Sequence, residues 1–440
     1  MQNEGQSRRI LDRVVKLASA AKGAGATAVL RGSDGGNTRF AVNEITSSSD
    51  VERLTLSVNV QFGTRSATAT TNQLDDRSIT DVVARATRMA RLAPENPEAM
   101  PPLGKQKYAA VKGARDGATI ELTPAERAKA VAAVIGAGDG AKVQIAGFYE
   151  HASEMQGLAS SEGLWAFHAW SSCGLSCTAR TPDGTGSGWS SASSNRVGDL
   201  DATALAKTAV DKAVSSAKPR RLEPGRYTVV LEPAAVADLT GELASQFGAR
   251  QADEGRSFFA KPGGGTRIGE KLFPDTITLR SEPTDTALTA TPFDGQGLPL
   301  APTRWIDKGK VTALTYDRYW ARKQGKAPTG SPEGWILDGG KATREDLIKG
   351  VKRGVLITRF WYIRSLDPQS ILLTGLTRDG TFLIENGAIV GPVMNFRFNE
   401  SPVQMLTRSD ALTPAVIAGG MRVPALRTHE FNLASISEAV

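Results

Sequence analysis

Histidine and cysteine are scarce in this chain of 440 residues. Its histidines are His151, His168 and His429, and its cysteines are Cys173 and Cys177. Two thiols argue for a reducing compartment. No apolar run reaches the ~18 residues a transmembrane helix needs. The opening M-Q-N-E-G-Q-S-R-R-I has no hydrophobic signal core, so export is not expected and a cytoplasmic location is. Low-complexity tracts are absent too. Lys218-Pro219-Arg220-Arg221 and Lys349 to Arg353 are the densest basic clusters under a net charge of +7, and neither interleaves with aromatics. Nucleic acid is therefore not an expected partner. What is present is ordinary for a globular protein: 40% hydrophobic and 22% charged residues, with length enough for about two to three domains.

The few metal-binding residue types form no site by spacing. His168, Cys173 and Cys177 fall in a segment with strand character, where positions four apart lie roughly 13 Å from one another. One metal cannot hold both thiols there, and a disulfide is out of reach. Two reduced, half-buried cysteines are expected. His429-Glu430 has no histidine following it and reads as a surface pair. The Ser-rich stretch near 184–195 places no serine at catalytic spacing from a histidine. K-P-G-G-G-T-R-I-G at 261–269 lacks the G-K-[ST] ending of a phosphate loop and reads as a flexible loop.

Periodicity predicts a helix over 8–23, strands at 28–31, 38–43 and 54–63, and a helix at about 77–92. Thr123-Pro124-Ala125-Glu126 is a capping box starting a helix to Gly136. A strand meander follows over 142–195, then a helix over 200–217. K-P-R-R-L-E-P-G reads as a linker, dividing the chain into 1–222 and 223–440. Asp307-Lys308-Gly309-Lys310 reads as a hairpin turn, and 325–340 as a long loop. Gly354 to Pro402 is strand after strand. Asn386-Gly387 is a strong type I′ signal, and Arg378-Asp379-Gly380 reads as a second turn. From 393 to 399, Asn395, Arg397 and Asn399 alternate with Phe396 and Phe398, so one face is polar and the other apolar.

The wording of three segments is more specific. T-G-L-T-R-D-G-T-F-L-I-E-N-G-A-I-V-G-P-V with N-F-R-F-N-E-S, T-R-F-A-V-N-E-I-T at 38–46 and A-T-P-F-D-G-Q-G at 290–297 resemble the TldD/PmbA family in kind and order. That resemblance covers roughly residues 8–435. It implies an α+β fold: an N-terminal mixed α/β domain, then a C-terminal domain with a large curved antiparallel β-sheet. It also implies a two-subunit zinc metalloprotease acting on unfolded or modified peptides.

In that family the catalytic subunit supplies H-E-x-x-x-H from a helix and a later cysteine to zinc. Here the corresponding helix starts at Glu232-Pro233 and reads A-D-L-T-G-E, which puts Ala237 and Glu242 at the histidine positions and Asp238 at the general base. Asp238 and Glu242 share a helix face, two ligands are too few for a metal, and a solvated face is the expectation. No cysteine follows Cys177. The resemblance is thus to the PmbA/TldE-type subunit, with no catalytic residue and no metal or cofactor of its own, zinc being expected in a TldD-like partner. The chain would complete a chamber and hold substrate, with Arg359, Tyr362, Arg378, Asn395, Arg397 and Asn399 as candidate peptide contacts. Exposed or satisfied sheet residues are the other reading of those six. A homodimeric peptide-binding or regulatory protein without protease activity is the alternative function.

Overall fold

The computed structural model describes residues 1–438. Residues 24–194 build one six-stranded antiparallel sheet. Its spine is a hairpin of two long strands, Ala24–Ala41 and Glu44–Phe62, followed across the sheet by Gln144–Ser160, Trp165–Arg180 and Ser187–Ser194. Helices cover it because their apolar stripes match. The helix Glu4–Ala18, opened by a capping box on Asn3, buries Leu11 and Val14, and Asp76–Leu92 buries Ile79, Val82 and Ala86, both against Leu30, Leu56 and Val58. Pro124–Ala141 and Ala202–Ser215 cover Phe40, Ile145 and Leu175. The first helix begins four residues earlier than its spacing predicted, because Asn3 and Gln6 cap one another. The third runs past Gly136 to Ala141.

Arg127 explains one glycine of the spine, Gly36. Its guanidinium is fully buried, donates to Asp50 Oδ1 at 2.6 Å and lies against the strand at Gly36. A Cβ at Gly36 would stand 2.1 Å from Asp50 Oδ1 and 2.3 Å from Arg127 Nη1. Only a residue without a side chain lets that ion pair form.

Residues 225–437 supply two more sheets. Gly225–Leu231, Arg353–Asp367, Leu372–Glu385, Asn395–Glu400 and Leu426–Ser437 pair in a ring, since Arg353–Asp367 bonds both Gly225–Leu231, in parallel, and Leu372–Glu385. The curved sheet expected from the sequence is thus closed on itself. Phe360, Phe398 and Phe431 meet on one face with centroids 4.5, 5.7 and 5.9 Å apart. A smaller six-stranded sheet packs alongside, and the helix Pro233–Ala244 is buried with both in one apolar cluster. The fold is α+β, with large antiparallel sheets.

Two turn readings resolve differently. Asn386 and Gly387 both have positive φ, 50° and 78°, and form the expected hairpin. Asp379 and Gly380 also have positive φ, 57° and 120°, but the chain does not reverse there. They kink one continuous strand, Leu372–Glu385, and the pairing register slips opposite them between Ile357 and Arg359. The long 325–340 loop contains a short strand, Trp335–Leu337, that joins the smaller sheet.

The spine hairpin turns at Val42 and Asn43, with φ of 52° and 60°. A β-branched residue is strained there, by roughly 1–2 kcal/mol. Asn43 holds the tip: its side chain donates to Asp139 and to Val143 O and accepts from Ile145 N at 2.6 Å. Val42 itself is 66% exposed, so little packing offsets its strain. Val42→Asn is expected to raise the urea midpoint by the equivalent of about 1 kcal/mol. A lowered midpoint would mean that the valine methyls carry more packing than their exposure indicates.

Candidate functional site

A cleft of about 430 Å³ lies between the N-terminal sheet and the C-terminal half. Strand register builds its floor. Val51, Gly35, Ala152 and Ser172 form one row across four strands, and Asn37, Glu150, Gly174 and Ser193 the next. Small side chains keep the floor low, and Leu288, Thr289, Ile417 and Gly420 roof it. Glu150 and Glu154 stand on the floor. Burial, and then the charge of Glu154, hold the Glu150 carboxyl above its ordinary range. Such a surface suits a polar, extended chain better than an apolar ligand.

The roof also reaches the helix Pro233–Ala244. A Cβ on Gly419 would lie 3.0 Å from the Ala237 methyl. Pro233 in the first turn starts this helix as expected, yet its acidic face is not solvated. Asp238 is largely buried and its Oδ2 accepts the Phe360 amide at 2.8 Å. Burial pushes its pKa up to about 6, against the partial pull of that amide and of Arg359. Helical spacing placed Asp238 and Glu242 on one face but could not say that the closed sheet packs on it.

A zinc shell does not fit here. The positions where the resemblance puts ligands offer a methyl at Ala237, a carboxylate engaged by a backbone amide at Asp238, and Glu242. Groups of three or more His, Cys, Asp or Glu poised for a metal do not occur among the described residues. The histidines are elsewhere. His168 stacks on Trp170 with centroids 5.4 Å apart, and burial pushes its pKa down to about 4. His151 faces Arg127, and His429 contacts Thr228 and Asp410, each at 3.0 Å. Cys173 and Cys177 are buried and free, and burial pushes the Cys173 thiol up to about 12, which makes it a poor nucleophile.

Comparison with known proteins agrees with this architecture. The central and C-terminal domains of the PmbA/TldA metallopeptidases match residues 118–217 and 224–435. The chain belongs to the PmbA/TldD family. Metalloprotease PmbA of Escherichia coli is 26% identical over 41% of this chain, and a metalloprotease of Methanothermobacter thermautotrophicus 24% identical over 48%. These matches span 40% and 48% of those proteins' own lengths, so the chain matches less than half of each curated relative. The crystal structure of TldE from Thermococcus kodakarensis superposes with a TM-score of 0.87 at 18% identity, covering 97% of this chain and 100% of that one. A protein from Bacteroides thetaiotaomicron described as a modulator of DNA gyrase gives 0.86 at 19% identity, over 99% and 100%. At such identities the likeness is one of fold.

Of the six candidate contacts the structure brings only Arg359 and Arg378 together; the other four lie in separate surroundings. Arg359 and Arg378 lie opposite each other across two strands and pack on Trp361, at 5.5 and 5.0 Å from its ring centre; Arg359 also lies 4.3 Å from Trp189. Asn395 is internal to the sheet, its Oδ1 accepting from the Thr377 and Thr381 hydroxyls at 3.1 and 2.8 Å. Arg397 is exposed and donates to Thr374 at 3.3 Å. Asn399 lines a separate pocket of about 610 Å³ beside Arg226, Arg267 and Arg408, with its buried Oδ1 unpartnered. Tyr362 is exposed at a bulge, with φ 55° and Arg364 stacked 4.2 Å from its ring. The cleft floor, Val42 and Trp189 escaped the sequence reading. Of these only Val42-Asn43 carried a signal, as a possible tight turn.

A carboxyl whose pKa is raised from 3.8 to about 6 favours the folded state while protonated, and loses that contribution as pH rises from about 4 through about 6. Asp238→Asn keeps an acceptor for the Phe360 amide. It is expected to match the parent's stability at pH 4 and to exceed it at pH 7.5 by on the order of 2–3 kcal/mol. Denaturant midpoints that differ equally at both pH values would refute the burial of a charge as the cause.

Proposed function

We propose that this chain is a non-catalytic subunit of TldE/PmbA type, which pairs with a zinc-bearing TldD-like subunit and holds unfolded peptide for it. One observation carries the reading. The helix that bears H-E-x-x-x-H in the catalytic subunit here carries Ala237 pressed against Gly419, and Asp238 spent on a backbone amide. This chain then contributes surface rather than an activated water.

Strand addition is the mode of holding. The closed ring offers few free edges, whereas the spine hairpin offers a long one. Arg65–Thr71 pairs only with 56–62 of Glu44–Phe62, so 44–55 has a neighbour on one side alone among the described residues. That edge is almost wholly exposed, and its Val51 and Arg53 also line the cleft. Main-chain hydrogen bonds at such an edge bind many sequences, which suits an unfolded substrate. Arg397, exposed on the ring, is a second polar contact in this reading. No helix among the described residues is long and apolar enough to cross a membrane.

The experiment is reconstitution. The chain alone is expected to hold less than a tenth of an equivalent of zinc after dialysis and to leave casein intact. Adding a zinc-bearing family partner is expected to yield a dimer and cleavage. One tightly held zinc per chain, or cleavage by the chain alone, would overturn the proposal. Within the pair, Arg397→Ala is expected to weaken peptide binding severalfold with the dimer intact; unchanged binding would remove that residue from the contact surface.

A further inference from the structure

Where the N-terminal sheet meets the ring, a pocket of about 350 Å³ opens between Val42 on one side and Trp361, Arg359 and Arg378 on the other. Its arginines are under-used as hydrogen-bond donors. Arg359 and Arg378 face each other across the strand pair, an arrangement that like charges make unfavourable. Their side chains are only 17% and 24% exposed. Of the two carboxylates near them, Asp238 is engaged by the Phe360 amide, and Asp379 lies 3.7 and 3.9 Å away, beyond hydrogen-bond range, with its Oδ1 already accepting the Ser187 hydroxyl at 2.6 Å. Neither guanidinium donates a hydrogen bond to any described residue, although each carries five N–H groups.

The guanidinium faces are occupied. Trp189, Arg359, Trp361 and Arg378 stack by alternate cation–π contacts of 4.3, 5.5 and 5.0 Å, which fixes the planes and leaves the edges free to donate. Beside those edges are the half-exposed Trp361 ring and the strained Val42.

We propose that this pocket captures a carboxylate carried on an apolar group, namely the C-terminal end of a peptide. Arg359 and Arg378 donate to the carboxylate oxygens, and the terminal side chain lies against Trp361 and Val42. A planar two-oxygen anion matches the paired forks. The volume, set against ~30 Å³ for a water, admits one or two residues and no folded partner. The identity of the ligand rests on the peptide-binding reading above; the anion site itself stands on the N–H groups of the two arginines that make no hydrogen bond.

The test is calorimetric titration of the full chain with N-acetyl-alanyl-leucine, with the same dipeptide as its amide, with N-acetyl-glutamate amide and with inorganic phosphate. The free acid is expected to bind at least tenfold more tightly than its amide and than phosphate, and to weaken as salt is raised. Arg378→Gln is expected to reduce that binding at least tenfold. Arg378→Lys, which keeps the charge and stem but loses the fork, is expected to reduce it several-fold at an unchanged melting temperature. Equal binding of acid and amide, no binding of the acid at millimolar concentration, or full affinity in a folded Arg378→Gln chain would overturn the site. Equal binding of phosphate, or of N-acetyl-glutamate amide, would overturn its assignment to a chain terminus. Cleavage by the reconstituted pair is scored separately. Lost acid binding with cleavage intact rejects this pocket alone, and absent cleavage with acid binding intact rejects the subunit reading alone.

Discussion

The hydroxyl of Ser187, donating at 2.6 Å to the buried carboxylate of Asp379, joins the last strand of the N-terminal sheet to the middle of the closed ring. Much of the molecule's geometry depends on that contact. Asp379 can turn inward because it sits in the left-handed region, and the register slip its kink forces on the neighbouring strand sets Arg359 opposite Arg378. Other ties brace the same relation between the halves. Arg250 grips Glu98 through both oxygens at 2.7 and 2.8 Å, Tyr108 donates to Gly297 O, and Lys212 and Arg344 converge on Glu232, the cap of the buried helix. The cleft therefore has a floor from one half and a roof from the other at fixed separation.

The buried helix shows how a fold keeps its frame while its chemistry changes. A methyl at 237 and a bare backbone at 419 pack against one another, where larger polar groups would have to be accommodated. Asp238 is not idle in that exchange. Its carboxylate satisfies the Phe360 amide beside the aromatic cluster, and so serves the ring at an electrostatic cost borne at neutral pH.

Local signals were legible in the sequence where the physics is local. The proline-started helix at 233, the Asn386-Gly387 turn and the Phe396/Phe398 alternation all stand in the structure as their spacing required. Asp379-Gly380 was misread because positive φ marks turns and strand kinks alike, and only the pairing partner distinguishes them. Ring closure was illegible for a related reason: it joins residues 228–231 to 354–357 in parallel, a pairing no neighbouring residue specifies. The stack of Trp189 with Arg359 joins elements far apart in the chain, and the burial of Asp238 depends on which face the ring covers. The likeness in wording conveyed the family but not these contacts.

The tip of the spine hairpin also bears on the order of assembly. Hairpins ordinarily close early, because their partners are adjacent. Here the turn is an unfavourable one for valine, and what holds it is a set of bonds from Asn43 to Asp139, Val143 and Ile145, about a hundred residues away along the chain. Beside the tip the local reward is the ladder itself and a bond from the Thr46 hydroxyl to Arg39 O, and the rest comes only when that distant segment docks. The tip that joins these two long strands is thus completed by a non-local contact, which couples the hairpin to the strand Gln144–Ser160.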